Sequence, residues 1–201
     1  MPKKTDTPHA PQLPTGRALI QLSTSTRDNS IVLLPGANFT TTPLPFPSTP
    51  YTHLLLQNEI PLAATRAFLS DAHTRGLVTL FNPSPMLSTA DIATFAWKEL
   101  DWLLVNEGEG RELLAALGED AGAEEALLRA LAGMGGGQMK VLLTKGAEGV
   151  VAWAEGRRVV CGAGEVRGGV VDTTGAGDCF TVRPFPVLSW TPWEATDLSV
   201  T

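Results

Sequence analysis

The 201-residue sequence has no surplus of basic residues and no cluster of them. Its 15 Lys and Arg are outnumbered by 21 Asp and Glu, which gives a net charge of −6 at pH 7. Proteins that bind a nucleic-acid backbone present clustered basic residues to its phosphates, so this balance argues against a nucleic acid as partner. The length indicates one domain with a sizeable core.

Cysteine is nearly absent, since Cys161 and Cys179 are the only two. Two cysteines are too few for a disulfide scaffold, which favours a reducing compartment, the cytoplasm or the nucleus. The three histidines suggest no catalytic pairing with a thiol, and no His/Cys cluster has the spacing of metal ligands. We therefore expect both cysteines to be ordinary small apolar residues.

Long apolar runs are missing as well. No run approaches the ~18 residues that a membrane helix needs, so no membrane partner is expected. The first 14 residues contain four prolines and lack the apolar core of a secretory signal. We expect residues 1–14 to form a disordered lead.

What the sequence does contain is an alternation of short apolar runs with helical patterns. The runs HLLLQ, VTLF, WLLV and VLLT are apolar throughout, as strands buried on both faces are. The segments between them carry helical spacing, among them PLAATRAFLSDAHTRG, STADIATFAWKEL, EGRELLAAL and AEEALLRALAG. This order predicts an α/β fold with a mainly parallel sheet flanked by helices.

Two hairpins are predicted outside that alternation. GRALIQL and NSIVLLPG, joined by the polar STSTRD, indicate a small N-terminal β-hairpin. GVVAWAEGRRVVCG indicates an antiparallel hairpin at one edge of the larger sheet.

The stretch VVDTTGAGDCF, residues 170–180, carries the strongest chemical signal. Gly175 and Gly177 permit a tight turn, and a helix beginning at about Ala176 would offer free N–H groups to an anion. Asp178 would then lie beside a bound phosphate and could take a proton from an attacking hydroxyl. A glycine-rich turn with a capping Asp is the alternative, which the flanking Asp and Thr residues disfavour. The dinucleotide and P-loop glycine patterns do not fit, because Phe180 replaces the third Gly and no Gly-Lys-Ser/Thr ending occurs.

A second motif, VNEGEG, follows the strand DWLLV. Asn106 and Glu109 share one face at a helix start and could orient a phosphate and a hydrated Mg²⁺. A capping box, with Asn106 as the cap and Glu109 three residues later, explains the same spacing equally well.

Two weaker motifs also follow strands. In LLTKGAEGV, the residues Thr144, Gly146 and Gly149 form either a nucleotide-binding turn or a plain one, with Lys145 expected to face solvent. In LLLQNEIPL, Glu59 is either a contact for substrate hydroxyls or a surface acid. FNPSP is a turn signal to which we assign no chemistry.

In this order, the motifs resemble those of the PfkB-type carbohydrate kinases, and among them the ribokinase-like members. The similarity runs over residues 15–180, and DTTGAGD is highly specific for the family, while PGAN, LLLQNEIPL and FNPSP favour the ribokinase-like group. The resemblance implies a ribokinase-like α/β fold and an ATP-dependent phosphorylation of a sugar hydroxyl, from ribose to ribose 5-phosphate.

The resemblance also implies roles for particular residues. Asp178 matches the catalytic base and a substrate contact, Glu59 matches a sugar contact, and Glu109 matches the residue that organises Mg²⁺ indirectly. The anion hole for the transferred group matches the backbone amides of Gly175, Ala176 and Gly177, of which Gly177 also matches a nucleotide contact. The remaining nucleotide contacts match Asn106, Thr144, Lys145, Gly146, Ala147, Glu148 and Gly149. Part of a K⁺ site matches Asp172 and Thr174.

The chain departs from the family pattern at both ends. Family members begin with a substrate-binding half and continue past the glycine motif with a long helix, so we expect a partial kinase domain over residues 15–180 and a divergent tail over 181–201. Pro184 and Pro186 would end a helix within about two turns. The alternative to a kinase is an inactive fragment that retains at most nucleotide binding or a partner interaction. The N-terminal hairpin resembles the family's lid, which implies a homodimer.

Overall fold

A computed structural model describes residues 13–25, 29–40, 51–164 and 175–182. Most of the predicted lead and tail, together with Asp172 and Thr174, lie outside these ranges. Eight strands are present in the described part: β1 (Arg17–Leu22), β2 (Asn29–Leu34), β3 (His53–Gln57), β4 (Val78–Asn82), β5 (Trp102–Asn106), β6 (Lys140–Thr144), β7 (Val150–Ala154) and β8 (Arg157–Cys161). The helices in the same ranges are α1 (Leu62–Thr74), α2 (Thr89–Thr94), α3 (Glu107–Ala116), α4 (Glu124–Met134) and α5 (Ala176–Val182).

Six strands form one sheet in the order β3-β4-β5-β6-β7-β8, and β1 and β2 form a separate two-stranded sheet. The neighbouring strands from β3 to β6 pair in parallel. β7 pairs antiparallel with both β6 and β8. The predicted α/β fold and both predicted hairpins are confirmed. The parallel strands follow one another in sequence order, so right-handed crossovers place their connecting helices on the same face.

The larger core lies between that face and helices α1 to α4. Its members come from alternate positions of the strands and from the apolar stripe of each helix, and they include Leu69, Phe81, Leu103, Leu113, Leu127, Leu131 and Val141, all fully buried. The opposite face carries a smaller core of Leu80, Trp102, Leu104, Leu142, Val150, Ala152 and Ala154. Phe180 of α5 packs against this second core, so α5 is attached to the sheet.

One predicted helix is wrong in its extent. STADIATFAWKEL forms α2 and then a separate 3₁₀ turn, Trp97–Glu99, because Phe95 is extended at φ −72° and ψ 148°. Phe95 stacks on Phe81 with ring centroids 4.9 Å apart. The indole Nε1 of Trp97 donates to the Ile92 carbonyl at 2.9 Å, so side-chain packing interrupts the helical pattern.

The two-stranded sheet, here called the lid, is anchored at its base by the TG and PGAN segments. The Ala37 amide donates to the Pro14 carbonyl at 2.8 Å, and the Gly16 amide donates to Oδ1 of Asn38 at 3.3 Å. Gly36 has φ +49°, and a Cβ there would lie 2.3 Å from the Pro14 oxygen, so this position requires glycine. No helix within the described ranges has the length and apolarity to cross a membrane.

Candidate active site

The ends of the parallel strands bring most of the predicted site residues to one edge of the sheet. Gln57, Asn82, Asn106 and Thr144 end β3, β4, β5 and β6 in turn. Gln57 pairs in register with Asn82, and Asn106 with Thr144. In open α/β sheets this carboxyl edge is where ligands bind. Asn106 and Thr144, two of the residues predicted to contact nucleotide, are therefore neighbours.

Asp178 lies at the same edge, on α5, which begins at Ala176 as predicted. Gly175 precedes the helix with φ +73°, the conformation that a glycine turn supplies. The Gln57 side chain donates from Nε2 to Oδ1 of Asp178 at 2.8 Å. Gln57 was missed in the sequence, although its place two residues before Glu59 at the end of an apolar run was a usable signal.

A cavity of about 190 Å³ lies between the lid and this edge. Glu59 lines it, together with Asn58 and Pro85, and the opposite wall comes from lid-side residues that include Ala18, Leu33 and Phe39. Its size suits a molecule smaller than the drug-sized ligands that occupy pockets of about 300–1,000 Å³.

The FNPSP segment, to which we assigned no chemistry, builds part of this cavity. Asn58 donates from its amide to the Ser84 carbonyl at 3.2 Å and from Nδ2 to the Pro85 carbonyl at 2.7 Å. Asn82 donates from Nδ2 to the Leu104 carbonyl at 2.9 Å, tying the end of β4 to β5. The segment thus fixes the loop that carries Glu59, a role that a turn signal alone did not indicate.

At the start of α3, Asn106 and Glu109 form the capping box that was one of the two predicted readings. The Glu109 amide donates to Oδ1 of Asn106, and the Asn106 amide donates to Oε2 of Glu109, both at 2.8 Å. These bonds occupy one oxygen of each side chain. The remaining Glu109 oxygen fits an outer-sphere contact to a hydrated Mg²⁺, an ion that usually keeps several waters.

The residues for a closed metal cage are not present in the described part of the chain, where no three His, Cys, Asp or Glu side chains gather. Asp172 and Thr174, predicted for K⁺, lie outside the described residues, so their role stays a prediction.

The predicted nucleotide loop, residues 144–149, is a short 3₁₀ turn, Gly146–Glu148, closed by a Lys145 amide bond to the Gly149 carbonyl at 2.9 Å. Gly149 has φ +96°, and a Cβ there would lie 2.1 Å from the Cys161 carbonyl oxygen. The loop backbone therefore lies directly against the end of β8.

The expectation that Lys145 faces solvent is wrong. Its side chain is only 19% exposed, and Nζ donates to Oε2 of Glu124 at 2.7 Å and pairs with Oε2 of Glu148 at 2.9 Å. The pKa of Lys145 is raised above its ordinary value, chiefly by the hydrogen bond to Glu124 and to a smaller extent by the one to Glu148. The pKa of Glu124 is lowered, chiefly by its hydrogen bond with Lys145 and next by its hydrogen bond with Arg158. The sequence pattern did not indicate that Glu124, Glu148 or Arg158 lies close to Lys145.

The sequence matches the pfkB family of carbohydrate kinases over residues 5–182. The chain belongs to this family, which confirms the resemblance inferred from its motifs.

Among individual proteins, the chain is similar to ribokinase of Lactococcus lactis, with 28% identity over 173 residues that cover 84% of this chain and 52% of that protein. The crystal structure of ribokinase from Cryptococcus neoformans in complex with ADP superposes with a TM-score of 0.78 at 38% identity, covering 94% of this chain and 63% of that one. Arabidopsis thaliana ribokinase, complexed with ribose and ATP, has a TM-score of 0.71 at 24% identity, covering 92% and 60%, and supports the fold. The chain thus spans about half the length of the curated relative.

Proposed function

We propose that this chain carries the phosphoryl-transfer site of a sugar kinase that uses ATP to convert ribose to ribose 5-phosphate. One observation carries the proposal: the Gln57 side chain holds the carboxylate of Asp178 at 2.8 Å at the edge of the sheet. The lid-covered cavity and the Asn106–Thr144 pair lie at that same edge. An acid, a small-molecule cavity and strand ends suited to phosphate are what transfer to a hydroxyl requires.

The cavity supports a small polyol as the acceptor. Glu59 offers a carboxylate on one wall, while Ala18, Leu33 and Phe39 offer apolar surface on the other. A sugar presents both kinds of surface, with hydroxyls at its edge and C–H groups on its faces. Ribose is proposed because the curated relative is a ribokinase.

In the proposed reaction, Asp178 takes the proton of the sugar hydroxyl while that oxygen attacks the γ-phosphorus of ATP. The bond between the γ-phosphorus and the bridging oxygen breaks, and ADP leaves with the electron pair. Backbone amides at Gly175, Ala176 and Gly177 would stabilise the charge that develops on the transferred group. Gln57 would orient the carboxylate of Asp178 through the hydrogen bond already present.

The nucleotide is proposed to lie along the ends of β5 and β6. Asn106 and the loop of residues 144–149 would contact it, and Mg²⁺, when bound, neutralises phosphate charge. The complex of the Cryptococcus relative with ADP supports a nucleotide as ligand. The K⁺ requirement rests on the sequence prediction for Asp172 and Thr174.

A homodimer through the lid is part of the proposal. The apolar side chains of Leu19 and Val32 oppose each other in the β1–β2 ladder and are 59% and 56% exposed. An isolated two-stranded sheet has little stability in water, and a second copy would cover this surface. Sedimentation velocity should give a dimer that Leu19→Lys with Val32→Lys converts to monomer.

The proposed site of action is the cytoplasm or the nucleus, on the cysteine content alone.

The test is a coupled assay for ADP release with ribose, ATP, Mg²⁺ and K⁺. Removing the base in Asp178→Asn should lower kcat by about 10²–10⁴-fold, the range that a general base contributes. Asp71→Asn is the matched control, because Asp71 of α1 pairs with Arg75 just after that helix, away from the described site residues. Its kcat should equal that of the unsubstituted chain.

Calorimetric titration with ADP separates the kinase from the nucleotide-binding fragment. A chain that binds ADP but releases none from ATP with ribose would refute the kinase proposal and leave the binding function. Equal turnover in Asp178→Asn and the unsubstituted chain would refute the role of Asp178.

A further inference from the structure

Four charged side chains outside the proposed reaction centre form a compact ion cluster beside the nucleotide loop. The cluster consists of Glu124, Lys145, Glu148 and Arg158, which belong to the start of α4, the loop itself and β8. Lys145 Nζ lies 2.7 Å from Glu124 Oε2 and 2.9 Å from Glu148 Oε2. Arg158 Nε donates to Glu124 Oε1 at 2.9 Å.

Glu124 is the centre of this ion cluster, because each of its two carboxylate oxygens holds a cation from a different element. One oxygen binds Lys145 at the start of the loop and the other binds Arg158 on β8, 34 residues away in sequence. The Glu124 side chain is 21% exposed and stands at the first position of α4, where the helix dipole favours a carboxylate. Water therefore screens the ion pairs that Glu124 makes with Lys145 and Arg158 less than it screens fully exposed ion pairs.

The loop joins the paired ends of β6 and β7, and between them Lys145 attaches it through its side chain to Glu124. Its internal bonds are those of one 3₁₀ turn and the bond from the Lys145 amide to the Gly149 carbonyl, and it contains Gly146 and Gly149, both at positive φ. Glu148 is 73% exposed and belongs to the loop, so its bond to Lys145 does not fasten the loop to the rest of the protein. Glu124 is the group in the ion cluster that joins the loop to both a helix and a neighbouring strand.

We propose that Glu124 is a positioning residue that holds the loop of residues 144–149 in the shape that binds nucleotide. This inference rests on the proposed function, since it takes the loop to be a nucleotide contact. Lys145 acts here as the loop's attachment point, and its ammonium is engaged by carboxylates rather than directed at phosphate.

Replacement of Glu124 by Gln keeps the size of the side chain and removes its charge. Lys145 and Arg158 then lose their shared counter-ion, and the loop keeps only its internal bonds. Hydrogen exchange should become faster in the loop peptide, residues 144–149, while the peptide of the buried strand β5 stays unchanged. ADP affinity in the presence of Mg²⁺, measured by calorimetry, should fall roughly two- to fivefold, the scale of losing one such ion pair.

Two variants accompany this one. Glu125→Gln is the matched control, because Glu125 is the next residue of the same helix and its pair with Arg129, at 2.6 Å, stays within α4. It should change neither exchange in the loop nor ADP affinity. Glu124→Asp retains the charge and should recover part of the affinity lost in Glu124→Gln.

The outcomes separate this inference from the proposed function. Faster loop exchange together with weaker ADP binding supports both. Faster loop exchange in a chain that binds no ADP in any form supports the ordering of the loop by Glu124 and refutes the nucleotide role. Unchanged loop exchange in Glu124→Gln overturns the inference, as does an increase spread equally over β5.

Discussion

Substitution of Gly149 by Ala probes the close contact between the loop of residues 144–149 and the end of β8. The backbone of Gly149 has φ +96° and ψ −132°, a region essentially restricted to glycine, so strain alone costs about 1–3 kcal/mol. The added methyl would also lie 2.1 Å from the Cys161 carbonyl oxygen and 2.6 Å from the Ala163 nitrogen. Backbone atoms cannot move aside as a side chain can, so the loop or the end of β8 must shift.

Gly146→Ala is the matched control in the same loop. Gly146 has φ +57°, and a Cβ there would meet nothing within 4 Å, so only the left-handed strain of about 1–2 kcal/mol applies. Both substitutions also reduce the freedom of the unfolded chain by about the same amount, which cancels in the comparison. We expect Gly149→Ala to lower the free energy of unfolding by about 2 kcal/mol more than Gly146→Ala does.

Urea denaturation followed by tryptophan fluorescence measures that difference. The m-values should match, so that a change in midpoint reports a change in stability. ADP affinity should fall in Gly149→Ala, because the displaced loop is the proposed nucleotide contact. Equal stabilities for the two variants, within about 0.5 kcal/mol, would refute the argument from the contact with Cys161.

Two further results are expected. Asp101 accepts hydrogen bonds from the Thr79 backbone amide at 2.8 Å and from the Thr79 hydroxyl at 3.0 Å. Because Thr79 is fully buried, Asp101→Ala should lower the free energy of unfolding by about 1–3 kcal/mol. A loss below about 0.5 kcal/mol in urea denaturation would contradict this. Lys145 and Arg158 lower the pKa of Glu124 from its ordinary value of 4.5. The stability that this carboxylate contributes is therefore present above pH 4.5 and is lost as the pH falls from 4.5 through the lowered pKa. Thermal unfolding of Glu124→Gln should depend less on pH in that acidic range than unfolding of the unsubstituted chain, and an identical dependence would refute the assignment.

The fold was largely predictable, because the buried strands are apolar throughout and the helices carry a clear period. The break at Phe95 was not, since it arises from stacking on Phe81, which lies 14 residues earlier and on another element. Local pattern carries no information about such a contact. Packing between distant residues overrode a helical preference that the sequence expressed over one continuous segment.

The candidate site was predictable where a motif follows a strand, and less so where one side chain only supports another. Asp178, Glu59 and Asn106 stand out as polar residues at strand ends or beside glycines. Gln57 also ends a strand, but neither its local sequence nor that of Glu124 indicates the partner, because each contacts a residue that the chain brings back from far away. Gln57 reaches a residue 121 positions later, and Glu124 reaches one 34 positions later.

The separation of Gln57 from Asp178 has a consequence for the newly made chain. Ribosomes add about 5–20 residues per second, so the strand ending at Gln57 leaves the ribosome on the order of ten seconds before Asp178 does. During that interval β4, β5, β6 and the loop of residues 144–149 are made, while Asp178, the proposed base, has not yet emerged. With Asp178 as the proposed base, phosphoryl transfer would begin only after α5 has docked beside Gln57.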